Sequence, residues 1–428
     1  MKKRVLFLAH SSMRGGAEFC LDTTLRFLDR ETIEPFVIFP TEGPMADSAR
    51  AMGISVQILP FSWWMLYEPS AWEWKNRLRV PFRHRFLIRF IQENKIQAVY
   101  SNTACLFEGV LAARAAEIPH ITHIHEVLED RFMRPRWFTL PQIIRFYFEN
   151  SKNVIFESES SRKIAEKHLL KSKPFSLLWP FGDWNPLWPL NILSASGITS
   201  LPARERTLEK LLSKSIAISN SARLRLSDAE EFQSKNALDS WKQLANFGVQ
   251  SYPSKWTLLW LGRFSERKNP LLLIQAAALL PENIRREIQI ILAGTGPLEQ
   301  RMRQEIQENA LTETCRIVPF QDDIRPLLRL ANALVLTSRE ESFGLVLVEA
   351  GMFARPLIAV RSQGPSEIIL DTETGFLTEQ NDARTLAERI ITLFLNPELS
   401  QKMGENGRKR VLEYYDPVKN TAKITDLF

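Results

Sequence analysis

Two glutamates eight residues apart, Glu341 and Glu349, flank the start of a strongly apolar segment. The stretch that contains Glu349 (LVLVEA) is apolar nearly all round, which predicts a buried helix. A buried carboxylate needs a charged or hydrogen-bonding partner, and a ligand can supply one. The N–H groups of Phe343, Gly344 and Leu345 would lie at the positive end of that helix, where anions bind. The sequence therefore predicts an anion site between two carboxylates.

Two basic residues, Arg263 and Lys268, follow a predicted buried strand in a glycine-led turn (GRFSERKNP). Ligands of doubly wound sheets bind beyond the carboxyl ends of the strands, which is where this turn is predicted to lie. Arg can grip a phosphate with two parallel hydrogen bonds, and Lys adds a point charge. Basic residues in an exposed turn are usually only solvated, so the turn alone leaves a phosphate role open.

Two glycine turns and a histidine pair are weaker signals. Gly294-Thr-Gly-Pro297 lacks the third glycine of a dinucleotide fingerprint, so it is better explained as a tight strand-to-helix turn near a ligand. Gly15-Gly16 is either a simple turn or a place where a ligand approaches the backbone. His123 and His125 share one side of a strand end, but no third metal ligand is spaced to match them. We therefore predict no metal site, and a histidine that donates to a ligand.

The chain of 428 residues is long enough for two domains of ordinary size. An apolar content of 45% and a charged content of 24% are typical of a soluble globular protein. Residues 1–175 contain 25 Lys and Arg against 19 Asp and Glu, whereas residues 176–428 contain 30 of each kind. The excess positive charge of the first part predicts an anionic partner or surface there, and not in the second part.

Signals of compartment are few. Cys20, Cys105 and Cys315 are isolated, which predicts three reduced thiols. The apolar run Val5–Ala9 is shorter than the ~7–15 residues of a signal-peptide core, so it is predicted to be a first strand. No run approaches the ~18–20 apolar residues of a membrane span. These features favour a cytoplasmic protein.

Strands and helices alternate in both parts of the chain, which predicts an α/β fold with two doubly wound, Rossmann-like parallel sheets. Asn269 is predicted to cap the helix Pro270–Leu280. In the first part, the predicted strands are Val5–Ala9, Pro35–Phe39, Ser55–Leu59, Ala98–Ser101, His120–His125, Val154–Glu157 and Ser176–Leu178. In the second part, they are Trp256–Leu261, Gln289–Ala293, Arg316–Val318, Ala333–Thr337 and Leu357–Val360.

Changes in composition divide the chain into four parts. Residues 1–185 and 255–410 are the predicted Rossmann-like domains. Residues 186–254 begin proline-rich and become charged, and they are too long for a hinge, so they are predicted to be an interdomain connection with a helical insertion. Residues 411–428 are predicted to form a helical segment that packs back on the first domain.

The region 61–92 combines aromatic and basic residues, a mixture that suits a membrane interface or an anionic glycan. The alternative is a helical excursion that packs on its own domain and leaves a solvated basic face. Its basic residues are Lys75, Arg77, Arg79, Arg83, His84, Arg85 and Arg89. Its aromatic residues include Trp63, Trp64, Tyr67, Trp72, Trp74, Phe82, Phe86 and Phe90.

The order of these motifs resembles the family 4 retaining glycosyltransferases of the GT-B type, most strongly over residues 256–410. The motifs are Gly15-Gly-Ala-Glu18, Ile124-His-Glu126, Gly262-Arg263 with Lys268-Asn269, Gly294-Thr-Gly-Pro297, Glu341-x7-Glu349 and Gln363-Gly-Pro-Ser-Glu367. The resemblance implies two facing Rossmann-like domains with a cleft between them. The first domain would bind the acceptor, and the second would bind a nucleotide-sugar such as a UDP- or GDP-sugar.

The resemblance also implies roles in the second domain. Arg263 and Lys268 match the pair that neutralises the donor diphosphate. Glu341 matches the residue beside the transferred sugar, and Glu349 matches the one that binds the ribose hydroxyls. Backbone groups of Phe343, Gly344 and Leu345 match the donors to phosphate and sugar, and the turn at Gly294 would lie near the donor.

In the first domain, Gly16 matches the glycine loop that closes over the donor, and His125 matches a histidine that reaches the sugar. The family is thought to react on the front face of the sugar, with Glu341 as an orienting group and no metal or other cofactor required. Gln363 departs from the family pattern, which often has a glycine there, and this leaves the contacts to the donor sugar open.

The sequence thus predicts a retaining hexosyltransferase that acts on a glycan or lipid-linked acceptor in polysaccharide, glycolipid or cell-envelope biosynthesis. Its location would be cytoplasmic or peripheral at the inner membrane face, with region 61–92 on an anionic surface, and nucleic acid is not expected as a partner. The alternatives are a nucleotide-sugar epimerase, a phosphorylase, or a non-catalytic glycan- or membrane-binding module. The sequence does not identify the base, the sugar, the acceptor or the linkage.

Overall fold

A computed structural model of the chain describes residues 2–61, 63, 65–66, 79–126, 128, 134–135, 139–172, 208–219, 244, 247–249 and 255–428. The chain forms two compact units. The first is Met1–Asn220 together with Val418–Phe428, and the second is Ser221–Pro417. Each unit is built on one parallel sheet, which confirms the predicted α/β class with two doubly wound sheets.

The first unit contains a seven-stranded parallel sheet. Its strands are β1 (Lys3–Leu8), β2 (Ile33–Phe39), β3 (Ser55–Ile58), β5 (Ala98–Ser101), β6 (His120–Ile124), β8 (Asn153–Phe156) and β9 (Ser215–Ala217). They lie in the order β3-β2-β1-β5-β6-β8-β9. Two short strands, β4 (Met65–Leu66) and β7 (Arg134–Pro135), form a separate antiparallel pair. The helices are α1 (Gly16–Phe27), α2 (Pro44–Ala51), α3 (Val80–Glu93), α4 (Glu108–Ala115), α5 (Leu140–Asn150), α6 (Glu159–Lys171) and α7 (Leu208–Leu212).

The second unit contains a six-stranded parallel sheet. Its strands are β10 (Trp256–Leu261), β11 (Ile288–Ala293), β12 (Cys315–Val318), β13 (Ala333–Leu336), β14 (Leu357–Val360) and β15 (Gly375–Thr378). They lie in the order β12-β11-β10-β13-β14-β15. The helices are α8 (Pro270–Ala278), α9 (Glu282–Glu287), α10 (Glu299–Glu308), α11 (Arg325–Leu330), α12 (Leu345–Met352), α13 (Gln363–Ile368), α14 (Ala383–Leu395) and α15 (Pro397–Tyr414).

Both faces of each sheet are covered by apolar side chains. Successive side chains of a strand point to opposite faces, so in β1 Val5 and Phe7 join one core cluster whereas Leu6 and Leu8 join another. Strand β10 divides in the same way between two clusters of the second unit. Burial on both faces explains why these strands are continuous apolar runs and not alternating ones.

The last helix, α16 (Pro417–Thr425), returns the chain to the first unit. Ile424 is buried in that unit's core, and the side-chain amide of Asn420 donates to the carbonyl of Ser219 at 3.0 Å. Because α15 belongs to the second unit, the chain passes between the units immediately after α15.

The structure differs from the sequence prediction at several places. Residues 186–254 were predicted to be a connection with a helical insertion, yet their described part adds a strand, β9, to the first sheet. Asn269 occupies the first position before α8 but does not cap it through its side chain; its φ of 49° is left-handed and the side chain makes no cap hydrogen bond. The predicted strand Ser176–Leu178 and residues 62, 64 and 67–78 of region 61–92 lie outside the described residues.

Candidate active site

The order of the second sheet reverses between β10 and β13. After β10 the chain crosses to β11 on one side of the sheet, whereas after β13 it crosses to β14 on the other side. The loops after these two strands therefore diverge and leave a crevice at the carboxyl edge of the sheet, where ligands of such sheets bind. Arg263 and Lys268 lie in the first loop, and Glu341 lies in the second.

The two loops meet in an ion pair. The Lys268 ammonium donates a hydrogen bond to Glu341 Oε2, and the hydroxyl of Ser338 donates to the same oxygen at 3.0 Å. Glu341 is only 8% exposed, so its charge depends on these partners. The sequence predicted both charged residues, whereas Ser338 carries no motif and was not predicted.

The ion pair keeps Glu341 ionised. Burial by itself raises the pKa of the Glu341 carboxyl, but the charges of Lys268 and Arg267 and the hydrogen bonds from Lys268 and Ser338 outweigh it. The pKa of Glu341 is therefore below its ordinary value. At neutral pH this residue is a carboxylate and not a proton donor.

Buried polar contacts fix the loop after β10. The indole N–H of Trp260 donates to the hydroxyl oxygen of Thr337 at 2.8 Å. The same hydroxyl donates to the carbonyl of Lys268 at 3.0 Å, and the N–H of Arg339 donates to the carbonyl of Arg267 at 2.9 Å. The backbone around Lys268 is thereby tied to the end of β13, which places its ammonium beside Glu341.

The glycine turn after β11 packs against the same loop. A Cβ atom at Gly294 would lie 1.9 Å from the carbonyl oxygen of Gly262, and one at Gly296 would lie 2.4 Å from the carbonyl oxygen of Phe264. These distances leave room only for glycine. The turn at Gly294 thus supports the loop that carries Arg263, and this is a structural reason for its two glycines.

Helix α12 begins beside Glu341. Gly344 precedes the helix with φ 101° and ψ 60°, a conformation that favours glycine. The N–H groups at a helix start have no partner within the helix, which leaves those around Phe343 and Leu345 available to an anion. Farther along α12, Glu349 is fully buried, as the sequence predicted.

Arg263 differs from Lys268 in its surroundings. Its side chain is exposed, and within the described ranges no carboxylate forms an ion pair with it. The structure therefore brings Lys268, Glu341 and the start of α12 together, and leaves the Arg263 guanidinium at the rim of the same loop.

In the first unit, polar side chains gather where β1, β5 and β6 end. The His125 Nε2 atom lies 3.0 Å from the Asn102 side-chain oxygen, and its Nδ1 atom lies 3.2 Å from Glu157 Oε2. The side-chain amide of Asn102 donates to the carbonyl of Ala17 at 2.8 Å. That carbonyl belongs to the first turn of α1, which begins at Gly16, so Asn102 joins two of the predicted site elements.

Glu126 holds the neighbouring loop. Its carboxylate accepts hydrogen bonds from the hydroxyl of Thr103, the N–H of Ala104 and the N–H of His125. The thiol of Cys105 also donates to it, at 3.4 Å. Glu126 is 8% exposed. These four donors therefore take the place of water and fill the hydrogen-bond capacity of its carboxylate. The sequence singled out His125 and quoted Glu126 only as its neighbour.

The histidine ring is neutral at physiological pH. Burial lowers the pKa of His125 to about 4, although the carboxylates of Glu126 and Glu18 oppose the shift. The ring stacks on His123 with centroids 4.0 Å apart, and burial also lowers the pKa of His123 well below its ordinary value. A neutral imidazole has one N–H to donate.

Among the described residues, no group of three or more His, Cys, Asp or Glu side chains is arranged to hold a metal ion. In that same part of the chain, none of the helices combines the length and the apolar character needed to cross a bilayer.

Two family profiles match the chain. The family described as Glycosyltransferase Family 4 matches residues 14–178, in the first unit. The family described as Glycosyl transferases group 1 matches residues 243–410, in the second unit. Together they include the loops described above in each unit.

Individual relatives agree with the profiles. The chain is 32% identical over 171 residues to the putative glycosyltransferase EpsD of Bacillus subtilis, which is 40% of this chain and 44% of that protein. It is 33% identical over 161 residues to the O-antigen chain mannosyltransferase C of Escherichia coli, which is 37% of this chain and 42% of that protein. The chain thus matches less than half the length of these relatives.

A solved structure covers the whole fold. Alr3699/HepE of Anabaena, crystallised in complex with UDP, has a TM-score of 0.72 and 20% identity, and the match covers 100% of this chain and 99% of that one. The same protein was also solved with UDP-glucose. At this level of identity the likeness shows the fold, which is the two-sheet architecture of GT-B glycosyltransferases. With both profiles in chain order and the fold in agreement, the chain belongs to the family 4 glycosyltransferases of the GT-B fold.

Proposed function

We propose that the chain is a retaining glycosyltransferase that moves a hexose-type sugar from a nucleoside-diphosphate sugar to a glycan or lipid-linked acceptor. The observation that carries this proposal is the ion pair between Lys268 and Glu341 beside the start of α12. An O-antigen mannosyltransferase among the relatives supports a role in polysaccharide or cell-envelope synthesis. A structural neighbour solved with UDP-glucose supports a nucleotide-sugar donor.

The diphosphate would bind between the basic loop and the start of α12. Its negative charge grows as the sugar leaves, and stabilising that charge is the main task of such a site. Arg263, Lys268 and the N–H groups of Phe343, Gly344 and Leu345 would share it. We propose that this binding needs no metal ion or other cofactor.

Glu341 would orient the sugar as a carboxylate. Its lowered pKa fits a group that accepts hydrogen bonds and supports developing positive charge at the anomeric carbon, and does not fit a general acid. In the proposed step the bond from the anomeric carbon to the phosphate oxygen breaks. The bond to the acceptor oxygen forms on the same face, and the acceptor's proton passes to the departing phosphate oxygen.

Glu349 would bind the nucleoside. Four residues of helix at ~1.5 Å each separate it from the helix start by roughly 6 Å, which is about the distance from a phosphate to the ribose hydroxyls. Helix side chains lean toward the N-terminus, so the carboxylate points back toward a ligand at that end. Gly16 and His125 of the first unit would approach the donor sugar.

The first experiment identifies the donor, because a bound ligand raises the melting temperature in proportion to its affinity. With the nucleotide-sugar that raises Tm most, Glu341→Ala and Arg263→Ala should both abolish transfer, and Arg263→Ala should also weaken binding of the nucleoside diphosphate. Arg303→Ala, on the exposed face of α10, is the matched control. Unchanged turnover in either site variant would contradict the assigned roles.

Release of a rearranged sugar nucleotide without acceptor, or dependence on inorganic phosphate, would contradict glycosyl transfer.

We further propose that α3 places the protein on an anionic membrane surface at the cytoplasmic side. The basic residues of this helix fall into two kinds. Arg83 is buried, and its guanidinium donates to both carboxylate oxygens of Glu108 at 2.6–3.1 Å, so it is structural. Arg79, Arg85 and Arg89 are exposed, and none of them forms an ion pair with a described residue.

The exposed face of α3 also carries an apolar group. Phe82 is 70% exposed, and Arg85 and Arg89 follow it at helical spacing on the same face. Unpaired arginines suit anionic lipid headgroups, and an exposed aromatic ring suits the boundary with the acyl chains. A lipid-linked acceptor would be reached from this surface.

Vesicle co-sedimentation tests the α3 surface. Reversing both charges with Arg85→Glu and Arg89→Glu should reduce binding to phosphatidylglycerol-containing vesicles by more than about tenfold, since each basic residue near such a surface contributes about 1 kcal/mol. The double variant Arg301→Glu with Arg303→Glu, on α10, changes the net charge equally and should bind as wild type does. Equal loss in both double variants, or equal binding to neutral phosphatidylcholine vesicles, would overturn the proposed surface.

A further inference from the structure

Helix α15 is packed unusually close to α12, the helix that carries Glu349. A Cβ atom at Gly351 of α12 would lie 2.6 Å from Val411 Cγ2, and one at Gly404 of α15 would lie 2.0 Å from the carbonyl oxygen of Ala354. Glycine at both positions lets the two backbones approach. The end of α15 is thereby fixed relative to α12.

Side chains at the end of α15 also form hydrogen bonds with the backbone of α13. The guanidinium of Arg410 donates to the carbonyls of Glu367 at 2.7 Å and Ile368 at 3.0 Å. The hydroxyl of Tyr415 donates to the carbonyl of Glu367 at 3.3 Å. Burial raises the pKa of Tyr415 to about 12, so this hydroxyl keeps its proton at neutral pH.

The turn between Glu341 and α12 lies between these two elements. On one side, the ring of Tyr415 packs edge-on against the ring of Phe343, with centroids 5.6 Å apart at 69°. On the other side, a Cβ atom at Gly364 would lie 2.0 Å from the carbonyl oxygen of Phe343, and the N–H of Gly364 donates to the carbonyl of Glu341 at 2.9 Å. The turn is therefore held on two sides by α13 and by Tyr415.

We infer that Tyr415 is a positioning residue for the donor site, which holds the turn at Phe343 in the geometry that presents its N–H groups to the diphosphate. The inference rests on the proposed function. Tyr415 itself is buried behind Phe343 and acts through that residue. An anion site made of backbone groups depends on the path of its backbone, so loss of the support should weaken donor binding specifically.

Donor and acceptor kinetics test this role. Tyr415→Leu removes the ring contact and the hydrogen bond, and it should raise the donor KM and the Kd for UDP about tenfold. The acceptor KM should stay within about twofold of wild type, because the affected turn belongs to the donor site. Tyr415→Phe keeps the ring contact and should show a smaller rise of about threefold. Leu395, which is 61% exposed at the end of α14, supplies the control Leu395→Ala, with no change expected.

The outcomes separate this inference from the proposed function. If wild type binds UDP, GDP and ADP no better than uridine, guanosine and adenosine, the donor site itself fails and the role of Tyr415 fails with it. If wild type binds a nucleoside diphosphate and transfers sugar while folded Tyr415→Leu keeps the wild-type donor KM, only the inference is overturned. Should Tyr415→Leu not fold, Tyr415→Phe decides in the same way: a donor KM equal to that of wild type overturns the role.

Discussion

The carboxyl edges of the two sheets differ in how they satisfy their polar groups. In the second unit, Lys268 and Glu341 pair with each other while Arg263 stays exposed at the rim. In the first unit, His125 and Glu126 are engaged by neighbouring side chains and backbone N–H groups. The same strand-end geometry therefore yields a charged edge ready for an anion in one unit, and in the other an edge where His125 and Glu126 are bonded to their own surroundings.

The difference follows from the loops and not from the strands. The loop after β10 carries three basic side chains, Arg263, Arg267 and Lys268, against one acidic side chain, Glu266, so the loop has a net positive charge. The loop after β5 brings a hydroxyl, a backbone N–H and a thiol to one carboxylate, that of Glu126, which satisfies it without a cation. Burying a charge is costly unless it is paired or hydrogen-bonded. The loop after β10 has more positive charge than the pairing with Glu341 requires, and a ligand can use the excess.

Among the variants that test this difference between the two edges, the one at Lys268 has the largest expected effect. Lys268→Met removes the cation that pairs with Glu341 and leaves a buried carboxylate uncompensated, so kcat/KM should fall at least about a hundredfold. Steady-state kinetics with the identified donor measure this. Lys402→Met, an exposed lysine of α15, is the control and should retain wild-type kcat/KM. A loss smaller than about threefold at Lys268 would remove the electrostatic distinction between the two edges.

Glu126→Gln probes the first unit. It replaces a carboxylate that accepts three N–H or O–H bonds of the loop, so the free energy of unfolding should drop by about 1–3 kcal/mol while the donor KM changes little. Urea denaturation monitored by circular dichroism measures the first quantity. An unchanged midpoint together with a donor KM raised about tenfold would show that Glu126 acts on the donor and not as a support, and would erase the contrast between the units.

A smaller effect is expected from the His125 ring. Its pKa is about 4 in the folded chain against 6.5 as the ordinary value, so the unfolded chain binds more protons below pH 6.5. The stability contributed by the neutral ring is present above pH 6.5 and is lost as the pH falls toward 4, by about 1 kcal/mol between pH 7.5 and 5.5. Unfolding curves of wild type and His125→Gln across this range should show a shallower pH dependence in the variant. Identical slopes would contradict a buried neutral ring.

Much of the fold could be predicted because the buried strands are continuous apolar runs. The predicted strands Ala98–Ser101, Trp256–Leu261 and Leu357–Val360 agree with the structure residue for residue. Strand β9 was not predicted, because it is short and partly exposed and lies in a charged stretch. The side-chain cap predicted for Asn269 was wrong, since the turn that precedes α8 imposes a left-handed backbone there.

The site was predictable only in part. A charged residue in an otherwise apolar stretch can be recognised from the sequence, and Glu349 was found in this way. Contacts between distant loops cannot be recognised in this way. Lys268 and Glu341 are 73 positions apart, and the reversal of strand order brings them together. Ser338, Asn102 and Tyr415 are ordinary residues by type. Their roles come from the atoms that the fold places beside them.

The central claim is that the edge of the second sheet binds a diphosphate. The most direct measurement compares the affinity for a nucleoside diphosphate with that for its nucleoside, by calorimetry, in wild type and in Arg263→Ala. UDP with uridine, GDP with guanosine and ADP with adenosine cover the common donors. We predict a large affinity gap in wild type for one pair, reduced at least about tenfold in Arg263→Ala because a charge-assisted phosphate contact is lost. Equal gaps in the two proteins would contradict the assignment.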